Sequence, residues 1–137
     1  DALVEFEKAV LSIDSPFDEY LAGNDDSINA EAKKGFELFN KIGCVACHNG
    51  RNLGGNLMQN VGLKDASESR RLMRVPSLRN VARTAPYLSS GEMSDLKEVI
   101  GFVSYHQLIH TLNSEEIGQI YKFLLTLNGR RPRILNE

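Results

Sequence analysis

The sequence predicts an all-α domain. Apolar residues recur at helical spacing along most of the chain, and the alternation of polar and apolar residues that indicates strands is almost absent. The length of 137 residues suits one compact domain, and 42% hydrophobic with 25% charged residues is a globular composition. No internal repeat of about 20 to 50 residues occurs, which excludes a solenoid. We therefore expect a single helical domain.

The first part of the chain contains three candidate helices. Apolar positions at helical spacing predict an amphipathic helix over residues 1–13. Ser15 followed by Pro16 is typical of a helix N-cap with proline at the first helical position, and Gly23 ends this short helix. A third helix begins near Ala30 and carries apolar residues on one side.

The second part of the chain contains an irregular segment and two further helices. Residues 48–62 are rich in glycine and asparagine, which predicts an irregular loop. A helix is predicted over residues 95–106, with Ser94 as its N-cap. Asn113 and Glu116 have the spacing of a capping box, which predicts the start of the last helix.

Both cysteines of the chain lie within one pentapeptide, Cys44-Val45-Ala46-Cys47-His48. The pattern C-x-x-C-H is the attachment motif of c-type haem. Two thiols at this spacing can each add to one vinyl group of a single haem, while the adjacent histidine binds the iron. The motif therefore predicts one covalent haem c, with thioethers at Cys44 and Cys47 and His48 as the proximal iron ligand.

Two other uses of the cysteines stay open at this point. They could form a dithiol pair, although a thioredoxin-like motif belongs to a βαβ context that this helical pattern lacks. They could also bind zinc together with His48 and a fourth ligand, for which His106 or His110 is available. Structural zinc sites more often include a second pair of cysteines or histidines.

The chain resembles the bacterial dihaem cytochrome c peroxidases and their MauG-like relatives over nearly its whole length. The resemblance is carried, in the order of the family, by the segments Ser15-Pro16-Phe17-Asp18, Tyr20 to Gly23, Gly35 to Phe39, Gly43 to Gly50, Leu53 to Asn56, Pro76 to Ala82, Thr84 to Tyr87 and Leu96 to Ile100. It implies a cytochrome c-like helical domain around one covalently bound haem c, in the form of the C-terminal, electron-accepting domain of that family.

The sequence also departs from the family pattern. A second C-x-x-C-H motif does not occur, and Val103 stands where the family places an iron-binding methionine. Since valine cannot bind iron, a sixth ligand must be sought among the other residues. His106 is the leading candidate, because it lies about one helical turn beyond Val103 on nearly the same face. The alternatives are Met58, Met93, His110, with Met73 more distant, or an open five-coordinate iron.

Other residues are predicted to surround the haem. A guanidinium offers a planar, bidentate match to a carboxylate, and we expect Arg79 and Arg51 to lie nearest the haem propionates. An apolar wall would exclude water from the iron and tune its potential. We expect that wall to include Phe36, Phe39, Leu53 and Leu57.

The sequence therefore indicates a monohaem c-type cytochrome that carries single electrons to or from a redox partner protein. We expect an N-terminal helical extension over 1–29, a haem-binding core over 30–129 and a tail over 130–137. The alternatives are a haem peroxidase with an open iron site, or a fragment of a dihaem peroxidase. An electron carrier is favoured over a complete peroxidase, since no acid/base residue can be assigned to peroxide chemistry.

Charge and hydropathy limit the partners and the location. With 16 Lys plus Arg against 18 Asp plus Glu, the chain has no broad basic field for nucleic acid. No apolar stretch approaches the roughly 20 residues that span a bilayer. The sequence starts at Asp1 without a leader, so we expect either a removed signal peptide or a piece of a longer chain. Attachment of haem to cysteines in bacteria favours the periplasm.

Overall fold

The computed structural model describes residues 1–61 and 71–135 of the chain. The helices within these residues are α1 (Ala2–Ala9), α2 (Pro16–Leu21), α3 (Ala30–Lys41), α4 (Leu96–Leu108) and α5 (Ser114–Leu125). Two short strands, β1 (Met58–Val61) and β2 (Arg71–Arg74), form an antiparallel pair. The mostly helical architecture is confirmed. Within the described ranges, no helix has the length and apolar character needed to cross a membrane.

Helices α3 and α5 cross at the centre of the molecule. Gly35 of α3 faces the backbone of α5 at Gln119, so closely that a side chain on residue 35 would overlap the Gln119 carbonyl group. The core around this crossing is aromatic. The ring of Phe123 lies 5.2 Å from that of Phe39 and 5.1 Å from that of Phe17, and Phe123 is fully buried. Burial of this apolar surface is the main stabilising contribution to the fold.

Helix α2 begins with a capping box, and its first turn is hydrogen-bonded to the chain just after α5. The Ser15 side chain accepts a hydrogen bond from the backbone of Asp18, and the Asp18 carboxylate accepts one from the Ser15 backbone. This capping box satisfies N–H groups that have no partner inside the helix. The N–H of Phe17 donates to the carbonyl oxygen of Thr126, just beyond α5, over 3.1 Å. The predicted cap and its following proline are confirmed.

The two-stranded sheet corrects the prediction of a wholly irregular segment over residues 48–62. Met58 pairs with Arg74, and Val61 pairs with Arg71. Glycine and asparagine do fill the segment up to Asn56, and this part contains turns. The strand after it has four residues, too few to show an alternating pattern, and its partner lies further along the chain.

Helix α4 also differs in detail from its prediction. Its N-cap is Asp95, whose side chain accepts from the N–H of Lys97, and not Ser94. Both residue types can cap a helix, so the sequence alone could not choose between neighbours. The helix continues to Leu108, and it therefore contains His106. The capping box of Asn113 and Glu116 at the start of α5 is confirmed.

Helix α1 is shorter than the predicted 1–13, and its apolar side is not covered by other described residues. Leu3 is 71% exposed and Phe6 is 57% exposed. The segment that follows is attached to the domain by Ser12, whose hydroxyl donates to the carbonyl oxygen of Arg130 over 2.9 Å. The spacing of apolar residues thus correctly predicted a helix here, but the apolar side chains of that helix are exposed.

Candidate haem site

The C-x-x-C-H motif forms one compact turn directly after α3. Gly43 has a φ of 96°, a left-handed conformation that glycine adopts without steric cost, and it turns the chain away from the helix axis. Cys44–Ala46 then form a 3-10 turn, and the N–H of His48 donates to the carbonyl oxygen of Cys44 over 2.9 Å. Both sulfur atoms and the imidazole are therefore presented from a single turn of chain.

The ring of His48 is oriented by a backbone carbonyl. Its Nδ1 atom lies 3.2 Å from the carbonyl oxygen of Leu53. Burial lowers the pKa of His48, against the opposing effect of hydrogen bonds to the carbonyls of Leu53 and Pro76, so the ring is neutral at pH 7. A neutral ring that donates from Nδ1 leaves Nε2 as an acceptor, which is the state in which histidine binds a metal.

The cysteines do not have the properties of a redox-active dithiol. Cys44 and Cys47 are free and half-buried. Burial raises the pKa of the Cys44 thiol to about 11, whereas redox-active motifs have a lowered thiol pKa. The zinc alternative also lacks support, because within residues 1–61 and 71–135 no three His, Cys, Asp or Glu side chains form a group that could hold a metal ion.

An apolar cavity of about 460 Å³ opens beside the motif. Its wall includes His48, Val45, Phe17, Phe36 and Leu53. Of the predicted wall residues, Phe36 and Leu53 line this cavity. Phe39 is buried beside His48, with 6.4 Å between the ring centres, and Leu57 is not part of the lining. Two free thiols, an imidazole oriented by a backbone carbonyl and an adjacent apolar cavity fit a covalently attached haem.

The two predicted arginines have different surroundings. Arg51 lines the cavity with an exposed side chain. Arg79 also lines it, but its guanidinium contacts Asp18, Ser15 and the Arg51 carbonyl oxygen. All three nitrogens of the guanidinium therefore have partners within the protein. Propionate binding stays a prediction for both residues, and for Arg79 it would require some of these contacts to break.

The last turn of α4 lies next to the motif. Leu108 has a side-chain carbon 3.9 Å from the place that a Cβ would take on Gly43. His106, on the same turn, packs against Phe102 with 4.1 Å between ring centres. Its Nδ1 atom is buried and has no hydrogen-bond partner among the described residues. A buried ring nitrogen without a partner is unfavourable, which is a sign that another group belongs there.

The other candidates for the sixth ligand have less suitable positions. The backbone of His110 is bonded to Ser104 at the end of α4, and this histidine is exposed. Met58 is on β1 and is 48% exposed. Met93 is half-buried and forms an isolated backbone bridge with Tyr87.

Sequence reasoning missed the role of Asp18 and Ser15 at this site. The local pattern identified Ser15 only as a helix N-cap, and Asp18 was named only within a segment that carries the family resemblance. Asp18 is 61 positions and Ser15 is 64 positions before Arg79 in the chain. Periodicity and local motifs in a single sequence do not predict contacts between residues so far apart.

A mostly helical domain built around a C-x-x-C-H turn is a cytochrome c-like fold. The same architecture is found in a solved MauG-like protein associated with microbial copper homeostasis, with a TM-score of 0.74 and 26% identity over 87% of this chain and 49% of that one. No protein-family model matches the chain.

Curated relatives agree with the fold. The chain is 37% identical over 97% of its length to cytochrome c551 peroxidase of Pseudomonas aeruginosa, and 36% identical over 94% to cytochrome c peroxidase Ccp of Escherichia coli. It is 31% identical over 72% to methylamine utilization protein MauG of Methylorubrum extorquens. The chain spans 44%, 32% and 32% of these three relatives. It is thus a homologue of the bacterial cytochrome c peroxidases and of MauG, as its motifs predicted.

Proposed function

We propose that the chain forms a c-type cytochrome domain that holds one haem and transfers single electrons. The observation that carries this proposal is the hydrogen bond between His48 Nδ1 and the Leu53 carbonyl oxygen, which orients the imidazole within a haem-attachment motif. Cys44 and Cys47 would hold the haem as thioethers, and His48 would bind its iron. When bound, the haem supplies reversible one-electron chemistry of iron.

The chain's own residues would keep water from the iron and set its potential. Phe17, Phe36 and Leu53 provide apolar surface beside His48. Lower solvent access and fewer polar neighbours change the relative stability of the two oxidation states. Arg51, exposed at the same cavity, would pair with a propionate.

We propose His106 as the sixth ligand. This proposal is supported by the position of its turn next to Gly43 and by the buried Nδ1 atom without a described partner. In addition, Val103 cannot bind the iron as the methionine at this position does in the family. Two histidine ligands would lower the potential relative to a methionine-ligated haem, because methionine raises it.

The ligand proposal is tested by electron paramagnetic resonance of the ferric protein. His106→Ala should convert a low-spin, two-histidine signal into a high-spin signal. His110→Ala is the matched control, since this histidine is exposed four residues further along, and it should leave the spectrum unchanged. An unaltered spectrum in His106→Ala would exclude His106 and leave Met58, Met93 or an open site.

A second candidate function is a haem peroxidase with an open iron site. It is favoured by the peroxidase names of the relatives and by valine at position 103. Since the chain spans less than half of those proteins, their activity is a proposal here. Carbon monoxide added to the reduced protein separates the two functions. A spectral change would support an open site, and no change would support the six-coordinate electron carrier.

We also propose that the protein works in the bacterial periplasm with a redox partner protein. The reason is chemical, because attachment of haem to cysteine thiols is associated with the oxidising side of the bacterial membrane. Electron-transfer contacts are small and transient, so a partner surface need not be strongly apolar. Fractionation of cells that express the native gene tests the location. Haem protein found only in the cytoplasm would contradict it.

A further inference from the structure

Three successive backbone carbonyls after the haem motif are held by one short segment of chain. The Arg51 carbonyl accepts from Nε and Nη2 of Arg79, over 3.0 and 2.7 Å. The Asn52 carbonyl accepts from the Ser77 hydroxyl over 2.7 Å, and the Leu53 carbonyl accepts from the Leu78 N–H over 3.2 Å. The Leu53 carbonyl is also the acceptor for His48. Residues 77–79 therefore fix the group that orients the proposed iron ligand.

Arg79 is in turn fixed from its other side by α2. Its Nη2 lies 2.7 Å from Oδ1 of Asp18, and its Nη1 lies 3.0 Å from Oδ2 of Asp18 and 3.1 Å from the Ser15 hydroxyl. The Arg79 side chain is 19% exposed. A partly buried, bidentate arginine–carboxylate pair is among the strongest and most directional of polar contacts. Arg79 is thus a bridge between α2 and the backbone next to His48.

We propose that Arg79 is a positioning residue for His48. It ties the Arg51–Leu53 backbone to Asp18 and so sets the hydrogen bond from His48 Nδ1 to the Leu53 carbonyl. This inference rests on the proposed function, because it gives the bond a role only if His48 binds iron. An acceptor held at Nδ1 increases the basicity of the imidazole, and a more basic ligand favours ferric iron. Loosening this acceptor should raise the reduction potential.

The sign of the change distinguishes positioning from a simple charge effect. Removing a positive charge near a haem favours the more positive ferric state and lowers the potential. Loosening the acceptor of His48 has the opposite effect. Arg79→Lys keeps the charge but loses the fork, since one ammonium cannot reproduce the five-donor geometry that joins Asp18 to the Arg51 carbonyl. This variant therefore isolates the positioning role.

The experiment uses the haem-loaded protein and a matched control. Arg130→Lys is that control, because Arg130 pairs with Glu19 on the same helix at 3.5 Å, and these side chains are 73% and 44% exposed. Two quantities are measured: the reduction potential, and the exchange rate of the His48 Nδ1–H in the reduced protein by NMR. In Arg79→Lys the potential should rise and exchange should be about tenfold faster, which is within the range that a neutral hydrogen bond contributes. Arg130→Lys should match wild type in both.

The outcomes separate this inference from the proposed function. A wild-type protein without covalent haem would refute the proposed function and the inference with it. Covalent haem, together with an unchanged or lowered potential in Arg79→Lys, would overturn the inference alone, even if the variant were less stable to heat. Should Arg79→Lys fail to fold, Asp18→Asn tests the same bridge, because it weakens the contact that holds the Arg79 guanidinium on the side of α2. Because loss of the Asp18 charge would by itself raise the potential, only the exchange rate is compared in this variant. The rate should increase by a smaller factor than in Arg79→Lys, and an unchanged rate would overturn the inference.

Discussion

Gly35 of α3 lies directly against the carbonyl group of Gln119 on α5. A methyl group at residue 35 has no space, because the nearest atoms are backbone and cannot rotate away. We predict that Gly35→Ala lowers the free energy of unfolding by about 1 to 3 kcal/mol, the usual effect of overpacking. Chemical denaturation measures it. Gly118→Ala is the control, since a Cβ there meets no atom within 4 Å. It should stabilise α5 by about 0.5 to 1 kcal/mol, and equal effects of both substitutions would contradict this packing.

Asn80 joins three parts of the chain from a left-handed conformation. Its φ is 60°, and its side-chain oxygen accepts from the Gly129 N–H over 3.0 Å and lies 3.3 Å from the Ser12 hydroxyl oxygen. Asn80→Ala removes the bond to Gly129 and the contact with Ser12, and it adds the strain of alanine at positive φ, so it should cost about 2 to 3 kcal/mol of unfolding free energy. Asn80→Gly removes the same side chain without that strain. It should cost less, and a larger loss for glycine would contradict the prediction.

Asp18 should make the stability of the protein depend on pH. Burial alone would raise the pKa of Asp18, but hydrogen bonds from Ser15 and Arg79 and the charge of Arg79 lower it below the usual value of an aspartate. A lowered folded-state pKa contributes stability that is present above the unfolded-state pKa and is lost as pH falls through the folded value. Stability should therefore decrease from about pH 4 downwards.

This pH dependence is measured by denaturant unfolding at several pH values. Asp18→Asn should be less stable than wild type at pH 7 and should lose less stability on acidification. Glu19→Gln, on the same helix, is the control, because the Glu19–Arg130 pair is longer and more exposed. An acid dependence that is as steep in Asp18→Asn as in wild type would show that Asp18 is not its source.

Ile109 ends α4 in a conformation that suits glycine better. Its φ is 54° and its side chain is 84% exposed, so it carries backbone strain without burying apolar surface. Ile109→Gly should raise the free energy of unfolding by about 1 kcal/mol. Thermal or chemical denaturation checks this expectation. A destabilised variant would indicate that Ile109 makes a contact that compensates for the strain.

The sequence predicted those features that depend on near neighbours in the chain. The caps at Ser15 and at Asn113, like the C-x-x-C-H turn, each occupy a few consecutive residues, and local hydrogen bonds determine their geometry. The β1–β2 pair and the bridge from Arg79 to Asp18 depend on residues brought together by the whole fold. A resemblance in sequence places Arg79 in a motif, but only the three-dimensional contacts show that its donors are engaged by the protein.

The account depends most on covalent attachment of haem at Cys44 and Cys47. The direct measurement is the alkaline pyridine haemochrome spectrum of the denatured protein after expression with a c-type haem maturation system. We predict the band of a haem with two thioether bonds, and a shift toward the single-thioether position in Cys44→Ala and in Cys47→Ala. A protein that releases all of its haem on denaturation, or whose two sulfurs are joined to each other, would contradict the account.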